Sequence, residues 1–182
     1  MKKEFLTVFV VIVIGLLIIP VKAQTDTLYY LNTSFETTED QGAWTSLPSH
    51  ATIKWDYDEG EHSWPLKPYP PTGKYNAIFY WSDFGTSYYR TLVSPEIDLS
   101  SAEKPQFTFW HAQAAFIGQD ELYLLLKAGP AAQWDTIASY VNEVPDWSKR
   151  VFNIQDIDEK YLCAGFQIGF LGLANGGQGV CI

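Results

Sequence analysis

Cysteine, histidine and basic residues are all scarce in this chain of 182 residues. It has two Cys and three His, and 12 Lys and Arg stand against 21 Asp and Glu, which gives a net charge of −9. The deficit of basic side chains argues against a nucleic-acid partner, because phosphate backbones are bound through Lys and Arg, and equally against anionic membranes. Such acidity suits a soluble extracellular protein that attracts divalent cations.

Catalytic and cofactor motifs are missing as well. The chain has no G-x-S-x-G, H-E-x-x-H, Walker or C-x-x-C pattern, and its histidines, His50, His62 and His111, lie in separate segments. The glycines of "GLANGGQG" lie between two predicted strands, which indicates a turn instead of a phosphate-binding loop. So many acids allow a carboxylate pair for glycoside hydrolysis, but no pair stands out. We therefore expect no enzyme, with a small stand-alone hydrolase or lyase as the alternative.

A long apolar run occurs at the start of the chain. Two lysines precede an apolar stretch from Phe5 to Val21, and Ala23 supplies the small residue expected at a cleavage site. This pattern is typical of a secretory signal peptide over residues 1–23, and an uncleaved membrane anchor is the competing interpretation. No cysteine follows the cut, so a lipoprotein is not predicted. We expect one domain, residues 24–182, that is secreted to the exterior or the cell surface of a bacterium.

Helix signals are nearly absent from the rest of the chain. No window keeps an apolar i, i+3, i+4, i+7 pattern for three turns, whereas short alternating runs recur with turn residues between them. About nine to eleven such runs, in a chain rich in aromatic residues, predict an all-β fold, a single antiparallel β-sandwich. The closing run "GQGVCI" has no turn residue or polar tail, so we expect its strand to be truncated and a sheet edge to be incompletely paired.

The two cysteines, Cys163 and Cys181, lie on the last two predicted strands. If these strands form a hairpin through "LGLANGG", the cysteines are about four residues out of register, roughly 13 Å apart, which is too far for a disulfide. A bridge would need a shifted register or strands that are not adjacent. We expect no disulfide.

Aromatic residues cluster in a Pro-rich segment and are the main candidates for ligand binding. Exposed Trp and Tyr rings can stack on the apolar faces of sugar rings while neighbouring acids and amides bond sugar hydroxyls. The alternative for each ring is a place in the core. The predicted ligand-binding residues in and after this segment are Trp55, Tyr57, Trp64, Tyr69, Tyr75, Tyr88, Tyr89 and Arg90.

The run "FTFWHAQ" places polar residues where a buried strand should be apolar. Its alternation puts two phenylalanines, His111 and Gln113 on one face of a strand, and buried polar groups need hydrogen-bond partners. We predict that His111 and Gln113 bond neighbouring strands or the loop that carries Asp120 and Glu121. The alternative hypothesis is that they form the floor of a ligand-binding groove.

One acidic segment, "DYDEGE", carries Asp56, Asp58 and Glu61 in close succession. These carboxylates are candidate calcium ligands, but the spacing does not match an EF-hand loop, because its twelfth position is Lys67. A solvated acidic loop is the favoured interpretation.

Several of these runs together resemble a known group of secreted bacterial domains. The order "SFE", "TGKYNAIFYW", "LVSPEIDLS", "FTFWHAQ", "QDELYLLLKAG", "DTIASY" and "GQGVCI" is similar to the choice-of-anchor J domains, relatives of the cleaved-adhesin domains of gingipains and of MAM domains. The resemblance spans nearly all of residues 24–182. It implies a jelly-roll β-sandwich that binds glycan or protein at the cell surface without catalysis, or an accessory domain of a larger secreted peptidase or glycoside hydrolase.

The resemblance also implies a structural calcium ion. In related jelly rolls the ion is held by a Glu of the first strand and an Asp of the last, together with backbone carbonyls, and the matching Glu is Glu36 of "SFE". The final strand of the family usually reads G-x-G-V-C-I-D-D-V, whereas this sequence stops at Ile182. Because calcium takes six to eight oxygen ligands, the loss of a carboxylate weakens the predicted site.

Overall fold

The computed structural model describes residues 28–60, 62–63, 66–67, 69–81 and 86–182. Two short helices, α1 (Thr38–Gly42) and α2 (Ile154–Ile157), and one 3-10 turn (Glu159–Tyr161) accompany the strands. No helix in these ranges is long and apolar enough to cross a membrane. The strands are β1 (Thr45–Leu47), β2 (Asp56–Glu59), β3 (His62–Ser63), β4 (Leu66–Lys67), β5 (Tyr75–Phe79), β6 (Tyr88–Val93), β7 (Gln106–Gln113), β8 (Glu121–Ala128), β9 (Trp134–Tyr140), β10 (Val144–Asn153), β11 (Phe166–Ala174) and β12 (Val180–Cys181).

Two five-stranded antiparallel sheets make up the sandwich. The first sheet has the order β1-β6-β11-β8-β9, and the second has the order β10-β7-β12-β5-β2. A separate hairpin joins β3 to β4. The chain crosses repeatedly from one sheet to the other, so the central strands pair with strands that are remote in sequence, as in a jelly roll. The predicted antiparallel jelly-roll β-sandwich is confirmed.

The last two strands do not form the hairpin that the sequence suggested. β11 lies in the first sheet between β6 and β8, whereas β12 lies in the second sheet between β5 and β7. Cys163 and Cys181 are not joined in a disulfide in this structure, and the register argument made for a hairpin does not apply to strands of different sheets. β12 has two residues and lies beside the eight-residue β7.

Alternation along the strands builds the core between the sheets. On β8 the side chains of Leu122, Leu124 and Leu126 are fully buried, because every second residue of a strand faces the same side. The two layers meet through aromatic rings. Phe109 of the second sheet and Phe170 of the first lie edge to face, with ring centroids 4.9 Å apart.

Gly172, on β11, allows the two sheets to approach closely. A Cβ atom placed there would lie 2.7 Å from Cδ1 of Phe79, a fully buried residue of the opposite sheet. We expect Gly172→Ala to lower the free energy of unfolding by about 1–3 kcal/mol through overpacking, as measured by urea denaturation. The matched control is Gly42→Ala, where an added Cβ meets no atom within 4 Å. Equal destabilisation by the two substitutions would contradict overpacking as the cause.

Candidate functional site

The aromatic residues predicted to bind a ligand do not form one site. Trp55 is 2% exposed, its indole N–H donates to the carbonyl of Arg90 at 2.9 Å, and its ring lies 5.8 Å from that of Phe79. The prediction that Trp55 contacts a ligand is therefore wrong, because the core encloses the ring. Trp64 lies outside the described residues.

Two other predicted residues are held in structural contacts. The Nε of Arg90 donates to the carbonyl of Ile53 at 2.8 Å, and its Nη1 donates to the carbonyl of Tyr89 at 2.6 Å. Tyr88 is half-buried, and its ring packs edge to face against Trp81 at 5.5 Å. The guanidinium of Arg90 thus ties the segment before β2 to β6, which favours a structural role over ligand contact.

Three predicted tyrosines lie at or near β2 and β5. Tyr57 is half-buried, its hydroxyl donates to the carbonyl of Gln41 at 2.9 Å, and burial, followed by the charge of Asp56, raises its pKa to about 12. Tyr75 is half-buried against the core. Tyr69 is exposed. Of these three rings, Tyr69 is the one most open to a ligand.

Tyr89 lies on a different surface, the outer face of the first sheet, and is 58% exposed. The strand register aligns it with Leu173 and Glu121, and the next row on this face holds Leu171 and Tyr123. Strand spacing and residue rise place the Cα atoms of the two tyrosines roughly 12 Å apart, with the leucines between them. We call these five residues the tyrosine platform.

The polar end of the tyrosine platform is a phenol–carboxylate pair. The hydroxyl of Tyr123 donates to Oε2 of Glu121. This hydrogen bond, followed by desolvation and the carboxylate charge, holds the pKa of Tyr123 above its ordinary value. Both side chains are partly exposed. The carboxylate therefore lies beside an apolar strip and can accept further hydrogen bonds from a ligand.

Trp134 continues the same outer face beyond the tyrosine platform. A Cβ atom placed at Gly169 would lie 3.1 Å from Cζ3 of Trp134, so the glycine lets the indole approach the sheet closely. The Nζ of Lys127 lies 5.7 Å from the centroid of this ring. The face thus combines aromatic surface with charges of both signs.

Tyr123 and Glu121 were missed in the sequence, although a signal for them exists. Leu122 and Leu124 are buried, and strict alternation along "DELYLLLKAG" places the residues between them on the outer face. The three consecutive leucines obscured this alternation, because the middle one, Leu125, is apolar although it lies on the outer face of the sheet with Glu121 and Tyr123.

His111 and Gln113 are buried, with exposures of 0% and 2%. The Nε2 of Gln113 donates to the carbonyls of Asp120, Tyr140 and Asn142 at 3.2, 2.9 and 2.7 Å. The Nε2 of His111 lies 3.1 Å from Oε1 of Gln113. The predicted bonding to a neighbouring strand and to the loop of Asp120 is confirmed for Gln113, whereas His111 bonds Gln113 of its own strand and its Nδ1 has no partner among the described residues. The burial of both side chains contradicts the hypothesis that they form the floor of a ligand groove.

Asp120 is a buried carboxylate that sequence reasoning did not single out for this role. It is 1% exposed; Oδ1 accepts the N–H groups of Asn175 and Gly177 at 2.7 and 2.8 Å, and Oδ2 accepts that of Gly179 at 2.8 Å. It therefore holds the turn between β11 and β12. No local pattern could reveal this, because the partners lie 55 to 59 residues away.

The predicted calcium ligands each accept backbone hydrogen bonds in the structure. Oε1 of Glu36 accepts the N–H groups of Lys74 and Tyr75 at 2.7 and 2.8 Å, and Asp56 and Asp58 each accept the N–H of the following residue. The two N–H groups hold the Glu36 carboxylate through Oε1. Among the described residues no group of three or more His, Cys, Asp or Glu could hold a metal ion, so these residues alone do not fit calcium, and its binding stays a prediction.

Comparisons with known proteins yield similar structures but no family. No protein-family model and no curated protein matches the chain. It is similar to TmCBM61, solved in complex with beta-1,4-galactotriose, at 16% identity over 76% of this chain and 81% of that one, with a TM-score of 0.48. It is also similar to the enzymatically active domain of bacteriophage CBA120 tailspike protein 4, at 11% identity over 81% of this chain and 19% of that one, with a TM-score of 0.46. A Stig cyclase from Fischerella sp. TAU is 16% identical over 76% and 80% of the two chains, with a TM-score of 0.37.

Proposed function

We propose that this chain is a secreted, non-catalytic binding module related to the choice-of-anchor J domains, and that it recognises a glycan through the tyrosine platform. The observation that carries the proposal is the pair of tyrosines, Tyr89 and Tyr123, on either side of a leucine strip on one sheet face. Secretion rests on the signal-peptide pattern of residues 1–23, which lie outside the described residues.

The chemistry of the tyrosine platform suits a sugar chain. A pyranose ring has apolar C–H faces that pack on aromatic and aliphatic surface, and it has hydroxyls at its edges that need hydrogen-bond partners. Leu171 and Leu173 offer the apolar strip, while Glu121 and the tyrosine hydroxyls offer the polar partners. The spacing of roughly 12 Å between the tyrosines fits a short oligosaccharide that lies across the strands.

The platform residues are also well positioned for recognition. They project from β6, β8 and β11, which are neighbouring strands of one sheet, and sites on regular elements hold their side chains more rigidly than sites on loops. A rigid surface loses little conformational freedom on binding. The same strands therefore provide both the core and the recognition surface.

The test is a glycan-array screen followed by titration of the best sugar. We expect Tyr89→Ala and Tyr123→Ala each to weaken binding about tenfold, since each removes a stacking face worth on the order of 1 kcal/mol or slightly more. Affinity is measured by isothermal titration calorimetry, and circular dichroism checks that each variant is folded.

The matched control is Tyr69→Ala, which removes an exposed tyrosine that is not part of the tyrosine platform. Its affinity should stay within about twofold of the unaltered chain. Loss of binding with Tyr69→Ala alone would move the site to the Pro-rich segment. A blank array with folded protein would contradict a glycan ligand and favour an extracellular protein. A run with chelator tests calcium separately, because binding through the tyrosine platform needs none.

A further inference from the structure

Glu121 is the charged member of the tyrosine platform. The other members, two tyrosines and two leucines, carry no charge at neutral pH. The described residues that continue the second row of the platform in the same register are uncharged as well, with Thr91 and Leu47 on one side and Ser139 on the other. A ligand that lies on the platform therefore meets one formal charge, and that charge is negative.

The carboxylate of Glu121 is held in place by its neighbour on β8. The hydroxyl of Tyr123 donates to Oε2, and this bond raises the pKa of Tyr123, so the phenol keeps its proton and stays a donor at neutral pH. An ionised carboxylate has about four lone-pair sites, so most of them remain available for the hydroxyls of a sugar. The pair thus presents a fixed acceptor at the edge of the leucine strip.

The cations closest to the platform do not offset this charge. Among the described strand residues of the outer face the cation is Lys127, six residues along β8 from Glu121, so their Cα atoms are roughly 20 Å apart. That separation exceeds the Debye length of about 8 Å at physiological ionic strength. Arg90 follows Tyr89 on β6, but its guanidinium is bonded to the carbonyls of Ile53 and Tyr89, and strand alternation turns it away from the platform.

We propose that Glu121 makes the tyrosine platform selective for uncharged glycans, an inference that rests on the proposed function. The carboxylate accepts hydrogen bonds from sugar hydroxyls, and bonds to an ionised acceptor are stronger than those between neutral groups. A sugar that carries a carboxylate or a sulfate at the same place brings a second negative charge, and like charges in contact repel. The platform thus takes neutral hexose chains and excludes uronic acid and sulfated chains.

The test compares matched oligosaccharides that differ in charge. The probes are tetrasaccharides of glucose, galactose and mannose and the corresponding tetrauronates, each titrated into the full chain by calorimetry. We expect the neutral member of the best-bound pair to bind at least about tenfold more tightly, because repulsion at close range is worth a factor of that order. Added salt should narrow this difference by screening the repulsion, while the affinity for the neutral sugar stays within about twofold.

Two variants identify the source of the preference. Glu121→Gln keeps the size of the side chain and an acceptor oxygen for Tyr123 but removes the charge, so the two members of each pair should then bind within about twofold of each other. The matched control is Glu103→Gln, which removes an exposed acid in the segment before β7 and changes the net charge by the same amount. It should keep the full preference. Circular dichroism checks that both variants are folded.

Three results would overturn the inference and leave the proposed function standing, provided that Tyr89→Ala still weakens binding. One is equal affinity of the unaltered chain for neutral and uronate members, and another is an unchanged preference in Glu121→Gln. The third is an equal loss of preference in Glu103→Gln, which would assign the effect to the net charge of the chain. No binding of any tetrasaccharide, together with a blank array, would instead contradict the proposed function and the inference with it.

Discussion

Replacing Asp120 with alanine is expected to lower the free energy of unfolding by about 3–5 kcal/mol, since three buried N–H groups lose their acceptor and each unsatisfied group costs about 1–3 kcal/mol. The upper sum is not reached, because water can enter the space that the carboxylate leaves. The three groups belong to Asn175, Gly177 and Gly179, which form the turn between β11 and β12. Urea denaturation at neutral pH, followed by tryptophan fluorescence, measures the change.

Two further variants separate the hydrogen bonds from a general effect of removing an acid. Asp120→Asn keeps one acceptor oxygen but turns an amide toward a backbone N–H, so we expect a smaller loss of about 1–3 kcal/mol. Asp146→Ala removes an exposed acid and should change stability by no more than about 0.5 kcal/mol. If Asp120→Ala proved as mild as Asp146→Ala, the carboxylate would not be what holds the turn.

Acidification is expected to remove about 3 kcal/mol of stability through His111 alone. Burial lowers the pKa of this imidazole from 6.5 to about 4; the bond to Gln113 opposes the shift, and the charge of Arg150 adds to it. The unfolded chain takes up the proton first as pH falls, so the contribution is complete above pH 6.5, shrinks toward pH 4 and is lost below it. The figure follows from about 1.4 kcal/mol for each pKa unit.

The measurement is the free energy of unfolding at several pH values between 4 and 7, compared with His111→Gln. That variant should be less stable at pH 7, yet its free energy of unfolding should depend less on pH, because it lacks the histidine that titrates. The carboxylates titrate in both proteins, so their contribution cancels in the difference. Parallel profiles for the unaltered chain and His111→Gln would contradict a buried neutral imidazole.

The elements of the fold were predictable because alternation is a local property. The run "FTFWHAQ" predicted a strand with His111 and Gln113 facing inward, and that strand is β7. The residues that pack over a strand, in contrast, come from segments remote in sequence. Trp55 was taken for a ligand-binding ring because nothing in "ATIKWDYD" indicates that Phe79 and the carbonyl of Arg90 enclose it.

The candidate site was less predictable than the fold, for the same reason. Tyr89 was named among the binding residues, but its neighbours Glu121 and Tyr123 come from a strand more than 30 residues later and meet it only through the register of β6, β11 and β8. Asp120 shows the limit most clearly, since its three partners lie 55 to 59 residues away in sequence.

The strand order also bears on how this chain acquires its structure. β1 pairs with β6, and β12 is inserted between β5 and β7, so neither sheet can close until segments far apart in sequence have met. Closing such long loops costs chain entropy before any stabilising contact forms. Domains with this kind of strand order therefore fold in milliseconds to seconds. During that interval the edges of β5 and β7 stay unprotected, and newly made chains at high concentration are then most exposed to mispairing with one another.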